Sequence, residues 1–178
     1  MFRPSLGAVV TGTSEPMRRK GWLFMEITDL ITPAAVIANL RATSKKQALQ
    51  DMAKRAAELT GLHERAIFDV LLERERLGTT GVGNGIAIPH GKLPNLDRLY
   101  GLFARLERPI NFDSIDEQPV DLIFLLLAPE SAGADHPKAL ARVSRLLRDK
   151  GVCEKLRGTD GADALYALLT ESPASRAA

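Results

Sequence analysis

Hydrophobic residues recur at helical spacing between residues 44 and 78. Ser44 and Gln47 have the spacing of a capping box, and the apolar positions that follow continue as far as Gly61: Ala48, Leu49, Met52, Ala53, Ala56 and Leu59. A second stripe begins near Glu64, places Ile67, Val70 and Leu71 on one face, and ends at Gly78. The pattern predicts two helices joined as a hairpin.

Apolar runs predict strands in the middle of the chain. Residues 99–106 form one run, and residues 120–128 form a nearly continuous run ended by Pro129, which is typical of a strand covered on both faces. Before them, the glycine-rich residues 78–85 predict a flexible loop that leads into a short strand ending at Pro89.

Helical spacing returns after the second strand. Asp135 is a candidate N-cap, Pro137 suits the first turn, and the apolar stripe Leu140, Val143, Leu146 and Leu147 runs towards Gly151. Two shorter helices are predicted near residues 152–156 and 162–169. This order of elements favours an α/β fold in which a mixed sheet is sandwiched by helices.

The length of 178 residues suits one domain. We expect residues 1–24 to be a disordered leader or the product of a start codon placed too early, residues 25–171 to form the domain, and residues 172–178 to fray. Cys153 is the only cysteine, so no intramolecular disulfide can form, and no apolar stretch reaches the length of a membrane span. A cytoplasmic protein without membrane insertion is predicted.

The net charge of +2 comes from the N-terminus, since residues 1–24 carry +3 and leave −1 for the rest. Aromatic residues make up only 5% of the chain. A nucleic-acid-binding face would need basic residues on the folded part, so no nucleic-acid partner is expected.

The glycines at 81, 83 and 85 suggest a phosphate-binding loop, but their spacing fits neither known motif. Gly91-Lys92 is followed by Leu93 where a Walker A loop needs serine or threonine, and the triplet leads from a helix into a strand instead of the reverse. No nucleotide cofactor is therefore expected.

His90 is the most distinctive candidate for chemistry. It lies between Pro89, which stiffens the backbone, and Gly91, which permits close approach, and the loop could bring Arg74 beside its ring. A neutral imidazole is a nucleophile, and an arginine with free backbone N–H groups could stabilise a transferred phosphoryl group. The candidate loop positions are Thr80, Gly81, Gly83, Asn84, Gly85 and Gly91. The alternative is a histidine that serves only as a structural hydrogen-bonding group.

A metal site is a weaker alternative. His90, Asp135 and His136 could meet, but the sequence contains no HExxH pair and no cysteine cluster, so no metal is expected.

The segment Gly83-Asn84-Gly85-Ile86-Ala87-Ile88-Pro89-His90-Gly91 resembles the active-site signature of fructose/mannitol-type enzyme IIA proteins of the bacterial phosphotransferase system. Arg74-Glu75, Gly78-Thr79-Thr80-Gly81 and residues 109–121 make the nitrogen-regulatory members the closer likeness. The resemblance covers about residues 27–169. It implies a three-layer α/β/α sandwich with a central mixed β-sheet flanked by helices.

The resemblance also implies site roles and partners. His90 would accept a phosphoryl group on Nε2 from an HPr-like phosphocarrier protein, Arg74 would stabilise the transition-state charge, and His136 would be a second active-site histidine. Two functions stay open: a regulatory phosphocarrier acting on cytoplasmic proteins such as potassium-transport systems or sensor kinases, and a sugar-transport component that passes the phosphoryl group to a permease.

Overall fold

The computed structural model describes residues 25–172 and Ser175. The expectations about residues 1–24, and about most of the C-terminal segment, lie outside the described residues.

Helices form where the hydrophobic stripes predict them. The described residues contain α1 (Lys45–Thr60), α2 (Glu64–Arg76), α3 (Asp135–Arg148), α4 (Lys150–Arg157) and α5 (Ala162–Thr170), with three short 3₁₀ turns at Ile27–Asp29, Pro33–Ala35 and Glu130–Ala132. The Oγ of Ser44 accepts a hydrogen bond from the Gln47 N–H at 3.2 Å, and Gly61 closes α1 at a φ of 74°. These are the predicted ends of the first helix.

The strands assemble into one mixed sheet. They are β1 (Val36–Leu40), β2 (Gly81–Gly83), β3 (Ile86–Ala87), β4 (His90–Leu93), β5 (Tyr100–Ile110) and β6 (Val120–Pro129). Their order is β1-β5-β6-β3-β2, and β4 also pairs with β6. The β1–β5, β3–β6 and β4–β6 pairs are parallel, whereas the β5–β6 and β2–β3 pairs are antiparallel.

Helices cover both faces of this sheet, which confirms the three-layer α/β/α architecture. Helices α1 and α2 pack together and contact β5 and β4, while α3 and α5 contact β6 and β1. The strand predicted from the continuous apolar run is buried as expected, since Leu122, Ile123, Phe124 and Leu126 have no exposed surface.

The glycine-rich segment is a β-hairpin, so the prediction of a flexible loop is wrong. Asn84 and Gly85 form its two-residue turn with φ values of 57° and 79°. Both values are positive, as a type I′ turn requires, and the Asn-Gly pair is the residue pair that adopts it most readily.

Two other boundaries also differ from the prediction. The predicted break at Pro89 is present, but β3 already ends at Ala87, and the chain resumes pairing with β6 from His90 to Leu93. Asp135 does not cap α3, since the N-cap residue is Ala134, whose side chain accepts no hydrogen bond from the first turn.

Strand β1, like β2 and β4, was not predicted. Val36–Leu40 is short and only partly buried, and it forms the β1 edge of the sheet.

Candidate functional site

His90 is held at the first position of β4 with one ring nitrogen fixed by the backbone. Its Nδ1 lies 2.8 Å from the carbonyl oxygen of Ile88. A carbonyl can only accept, so Nδ1 carries the proton and donates. The Nε2 atom is then left with its lone pair.

Arg74 contacts the other side of the same ring. Its Nε donates to the Nε2 of His90 at 3.2 Å, and its Nη1 donates to the carbonyl oxygen of Gly78 at 3.0 Å. The last turn of α2 therefore brings the guanidinium to His90, as the sequence predicts, and the structure places the cation directly at Nε2.

The surroundings of His90 favour its neutral form. Burial lowers its pKa below the usual 6.5, and the Arg74 cation lowers that pKa further, while the Ile88 carbonyl and the Glu75 carboxylate oppose the shift. A neutral ring with a lone pair on Nε2 is thus the state expected near pH 7.

His136 lies beside His90. It occupies the first turn of α3, its ring centroid is 5.7 Å from that of His90, and the two rings meet edge to face at 70°. The side chain is buried, and its Nε2 has no hydrogen-bond partner among the described residues. Burial, with smaller effects of His90 and Lys92, lowers the pKa of His136.

The backbone donors of the hairpin are less available than the sequence suggests. The Thr80 N–H donates to the Glu75 carboxylate, the Gly81 N–H to the hydroxyl of Thr79, and the Asn84 N–H to the Asp116 carboxylate. The expectation of free N–H groups is therefore wrong for these three residues.

Several of the predicted loop glycines serve packing. A Cβ on Gly91 would overlap Cγ1 of Val70 in α2, and one on Gly81 would overlap the hydroxyl of Ser114. A Cβ on Gly85 would come within 2.6 Å of the Arg157 guanidinium, and one on Gly83 within 3.2 Å of the Asp116 carboxylate. Gly91 thus permits the close approach of helix and strand that brings α2 next to β4.

Glu75 is a site-adjacent residue that the sequence interpretation missed. Its carboxylate is buried and accepts hydrogen bonds from the N–H and hydroxyl of Thr80 and from the ammonium of Lys45. The signal was present, because Glu75 continues the buried stripe of Ile67 and Leu71 at intervals of four residues. An acidic residue on the buried face of a helix requires partners.

The comparisons with known proteins decide the family. Residues 29–172 match the sequence profile of the "Phosphoenolpyruvate-dependent sugar phosphotransferase system, EIIA 2" family. The chain belongs to this EIIA 2 family. The predicted resemblance is thereby confirmed.

Relatives within the EIIA 2 family refine the likeness. The chain is 63% identical to a nitrogen regulatory protein of Bradyrhizobium diazoefficiens over 86% of its own length and all of that protein. It is 36% identical to a fructose-specific EIIA component of Haloferax volcanii, with 83% and 98% of the two chains covered. The crystal structure of nitrogen regulatory protein IIA-Ntr from Neisseria meningitidis is similar with a TM-score of 0.77 and 32% identity, covering 81% of this chain and 99% of that one.

Two further findings complete the description of this EIIA 2 protein. No helix in the described part of the chain has the length and apolar character needed to cross a membrane. Within residues 25–172, no cluster of three or more His, Cys, Asp or Glu side chains is arranged to hold a metal ion.

Proposed function

We propose that this protein is a regulatory phosphocarrier of the nitrogen-related phosphotransferase system, in which His90 accepts a phosphoryl group from an HPr-like carrier. One observation carries the proposal: the Nε2 lone pair of His90 faces the guanidinium of Arg74 while Nδ1 is held as a donor by Ile88. Membership of the EIIA 2 family makes the protein a phosphotransferase-system component with a phosphocarrier as partner.

The transfer step follows from this geometry. The Nε2 lone pair attacks phosphorus, a new N–P bond forms, and the N–P bond of the carrier's phosphohistidine breaks with its electron pair returning to the carrier's ring. The proton stays on Nδ1 throughout, in its hydrogen bond to the Ile88 carbonyl oxygen. Arg74 releases Nε2 and its cation then faces the phosphoryl oxygens, where it stabilises the spread charge of the transition state.

His136 is proposed to act after the phosphoryl group arrives. Its buried Nε2 has no hydrogen-bond partner within residues 25–172, and a buried nitrogen without a partner is costly. A phosphoryl group on His90 would bring anionic oxygens next to this ring, whose centroid is 5.7 Å away. A hydrogen bond from His136 to one of these oxygens would stabilise the phosphorylated form.

The surface near the site supports docking of a protein. Leu77, Val82 and Ile115 are the large hydrophobic side chains that remain exposed in the described part of the chain. Leu77 follows the helix that carries Arg74, Val82 lies in β2, and the N–H of Ile115 donates to the Gly81 carbonyl. Exposed hydrophobic side chains grouped beside a reactive residue are typical of an interaction surface.

The regulatory role is favoured over transport because the sequence identity is 63% to the Bradyrhizobium nitrogen regulatory protein and 36% to the Haloferax fructose-specific component. Phosphorylation would add about −1.5 to −2 charges at this surface, which is enough to change the choice of partner. We place this activity in the cytoplasm, with potassium-transport systems and sensor kinases as candidate targets.

Phosphorylation by a reconstituted chain tests the proposal. Incubation with radiolabelled phosphoenolpyruvate, the first enzyme of the system and its carrier should label one site with acid-labile, base-stable phosphate. His90→Ala should abolish the label, while His63→Ala, which removes an exposed histidine at the start of α2, should keep it. A label that persists in His90→Ala would refute the assignment.

The same labelled protein separates the two functions. Mixed with membranes that contain sugar permeases, it should retain its phosphate when fructose or mannitol is added. Rapid transfer of the label to either sugar would favour the transport role instead.

A further inference from the structure

Glu75 forms the centre of a hydrogen-bonded network behind the candidate active site. Its side chain is only 3% exposed, and its carboxylate accepts from the Thr80 N–H at 3.0 Å, the Thr80 hydroxyl at 2.5 Å and the Lys45 ammonium at 3.2 Å. Three donors, one of them charged, fix this carboxylate in place.

One route from this carboxylate reaches the Nδ1 side of His90. The Thr80 N–H donates to Glu75, and the carbonyl oxygen of Thr80 accepts the Ile88 N–H at 2.9 Å. The Ile88 carbonyl in turn accepts the Nδ1 proton of His90 at 2.8 Å. These bonds fix the backbone positions of Thr80 and Ile88, and Glu75 lies at the start of the series.

A second route reaches the Nε2 side. Glu75 directly follows Arg74, and its bonds to Thr80 close the short connection between α2 and β2. This closure places the Gly78 carbonyl 3.0 Å from Nη1 of Arg74. With Nη1 held there, the Nε of Arg74 points at the Nε2 of His90.

We propose that Glu75 is a positioning residue that fixes both nitrogens of the His90 ring, through Thr80 and Ile88 on one side and through Gly78 and Arg74 on the other. The inference rests on the proposed function, because it concerns the imidazole that would accept the phosphoryl group. No contact between Glu75 and the phosphoryl group is required.

Lys45 is the charged partner of Glu75 in this hydrogen-bonded network. Its ammonium contacts the Glu75 carboxylate, the Asp113 carboxylate at 2.9 Å and the Phe112 carbonyl at 3.3 Å. It supplies the positive charge that a buried carboxylate needs, because a buried charge without a partner is costly. Helix α1 is thereby connected to the site through Lys45.

The test compares Glu75→Gln with Glu73→Gln, which makes the same charge change at an exposed position of the same helix. Glutamine keeps the size of the side chain but has one acceptor oxygen in place of two, so it cannot hold the Thr80 N–H, the Thr80 hydroxyl and Lys45 together. The readout is the tautomer of the neutral His90 ring, measured from its ¹⁵N chemical shifts, together with the rate of phosphorylation.

In Glu73→Gln, as in the unchanged protein, His90 should carry its proton on Nδ1. In Glu75→Gln we expect the Nε2–H tautomer to become populated and transfer to slow by about tenfold to hundredfold, as expected for a misplaced reacting group. An unchanged tautomer in Glu75→Gln overturns the proposal whatever the rate. The tautomer is measured without phosphoryl transfer. If the unchanged protein takes up no phosphate label, the proposed function is refuted, but the tautomers of the variants still test the role of Glu75.

A second pair of variants decides the question if Glu75→Gln does not fold. Lys45→Met leaves the carboxylate in place but removes its cation, and Lys46→Met is the matched control at an exposed neighbour. Circular dichroism establishes that each variant is folded. A smaller shift towards Nε2–H in Lys45→Met supports the proposal, and identical tautomers in the two methionine variants overturn it.

Discussion

At the scale of single residues, the three histidines of the chain show how surroundings set the state of an imidazole. His63 is exposed, and its Nδ1 accepts the Arg65 N–H at the start of α2. His136 is buried, and its Nε2 has no partner in the part of the chain that the structure describes, whereas His90 has both nitrogens in hydrogen bonds. Only His90 combines a fixed tautomer with a cation at its other ring nitrogen, which is the state that the proposed attack on phosphorus needs.

The depressed pKa of His90 gives a prediction about pH. Because burial and Arg74 both lower this pKa below 6.5, the ring should stay neutral at pH 7, and the transfer rate should fall only at lower pH. Arg74→Gln removes the cation, so the pKa should rise while burial still holds it down. Titration of the His90 ring by NMR, with the transfer rate followed over the same pH range, measures both effects.

Arg76→Gln is the control, since it removes an exposed cation from the same turn of α2. It should leave the His90 titration curve unchanged. If Arg74→Gln lowers the pKa of His90 or transfers phosphate at the normal rate, Arg74 does not have the electrostatic role assigned to it.

At the scale of elements, the site is built where α2, the β2–β3 hairpin and β4 meet. The helix ends and apolar stripes of α1 and α2 were predictable, because caps and 3.6-residue periodicity are local signals. The hairpin was not predicted, since the glycine-rich residues 78–85 were interpreted as a flexible loop, although Asn84-Gly85 is a strong turn signal. The Glu75 network could not be predicted in detail, because its partners Lys45 and Thr80 meet only in the folded chain.

The packing of α2 on β4 gives the second prediction. In Gly91→Ala the new Cβ would overlap Cγ1 of Val70, which should push the helix away and destabilise the protein by about 1–3 kcal/mol. The transfer rate should fall as well, because α2 carries Arg74. Denaturant unfolding and transfer kinetics on the same samples measure the two effects.

Adding Val70→Ala removes the overlapping methyl group and leaves the Val70 Cβ at 3.7 Å, an ordinary contact. The double variant should therefore lose less free energy of unfolding than the sum of the losses in the two single variants. Strict additivity would mean that the Gly91–Val70 contact does not determine the position of the helix.

At the scale of the whole molecule, the two edges of the sheet differ. Strand β1 forms one edge, and β2, with exposed Val82, forms the other. Residues 111–117 lie against the β2 edge, where Ser114 and Ile115 meet Gly81 and the carboxylate of Asp116 accepts the Asn84 N–H. The carrier should therefore approach from the β2 edge, because the exposed hydrophobic side chains are grouped around this side.

Ile115→Asp tests the direction of that approach. Ile115 is 76% exposed, so the change should leave the free energy of unfolding nearly unaltered. Placing a charge in an apolar contact should raise KM for the phosphorylated carrier about tenfold, roughly 1.4 kcal/mol, with kcat preserved because the chemistry at His90 is untouched. Asn39→Asp introduces the same charge at an exposed position of β1, on the opposite edge, and should leave KM unchanged. Equal KM values for the two variants, measured over a range of carrier concentrations, would place the docking surface elsewhere.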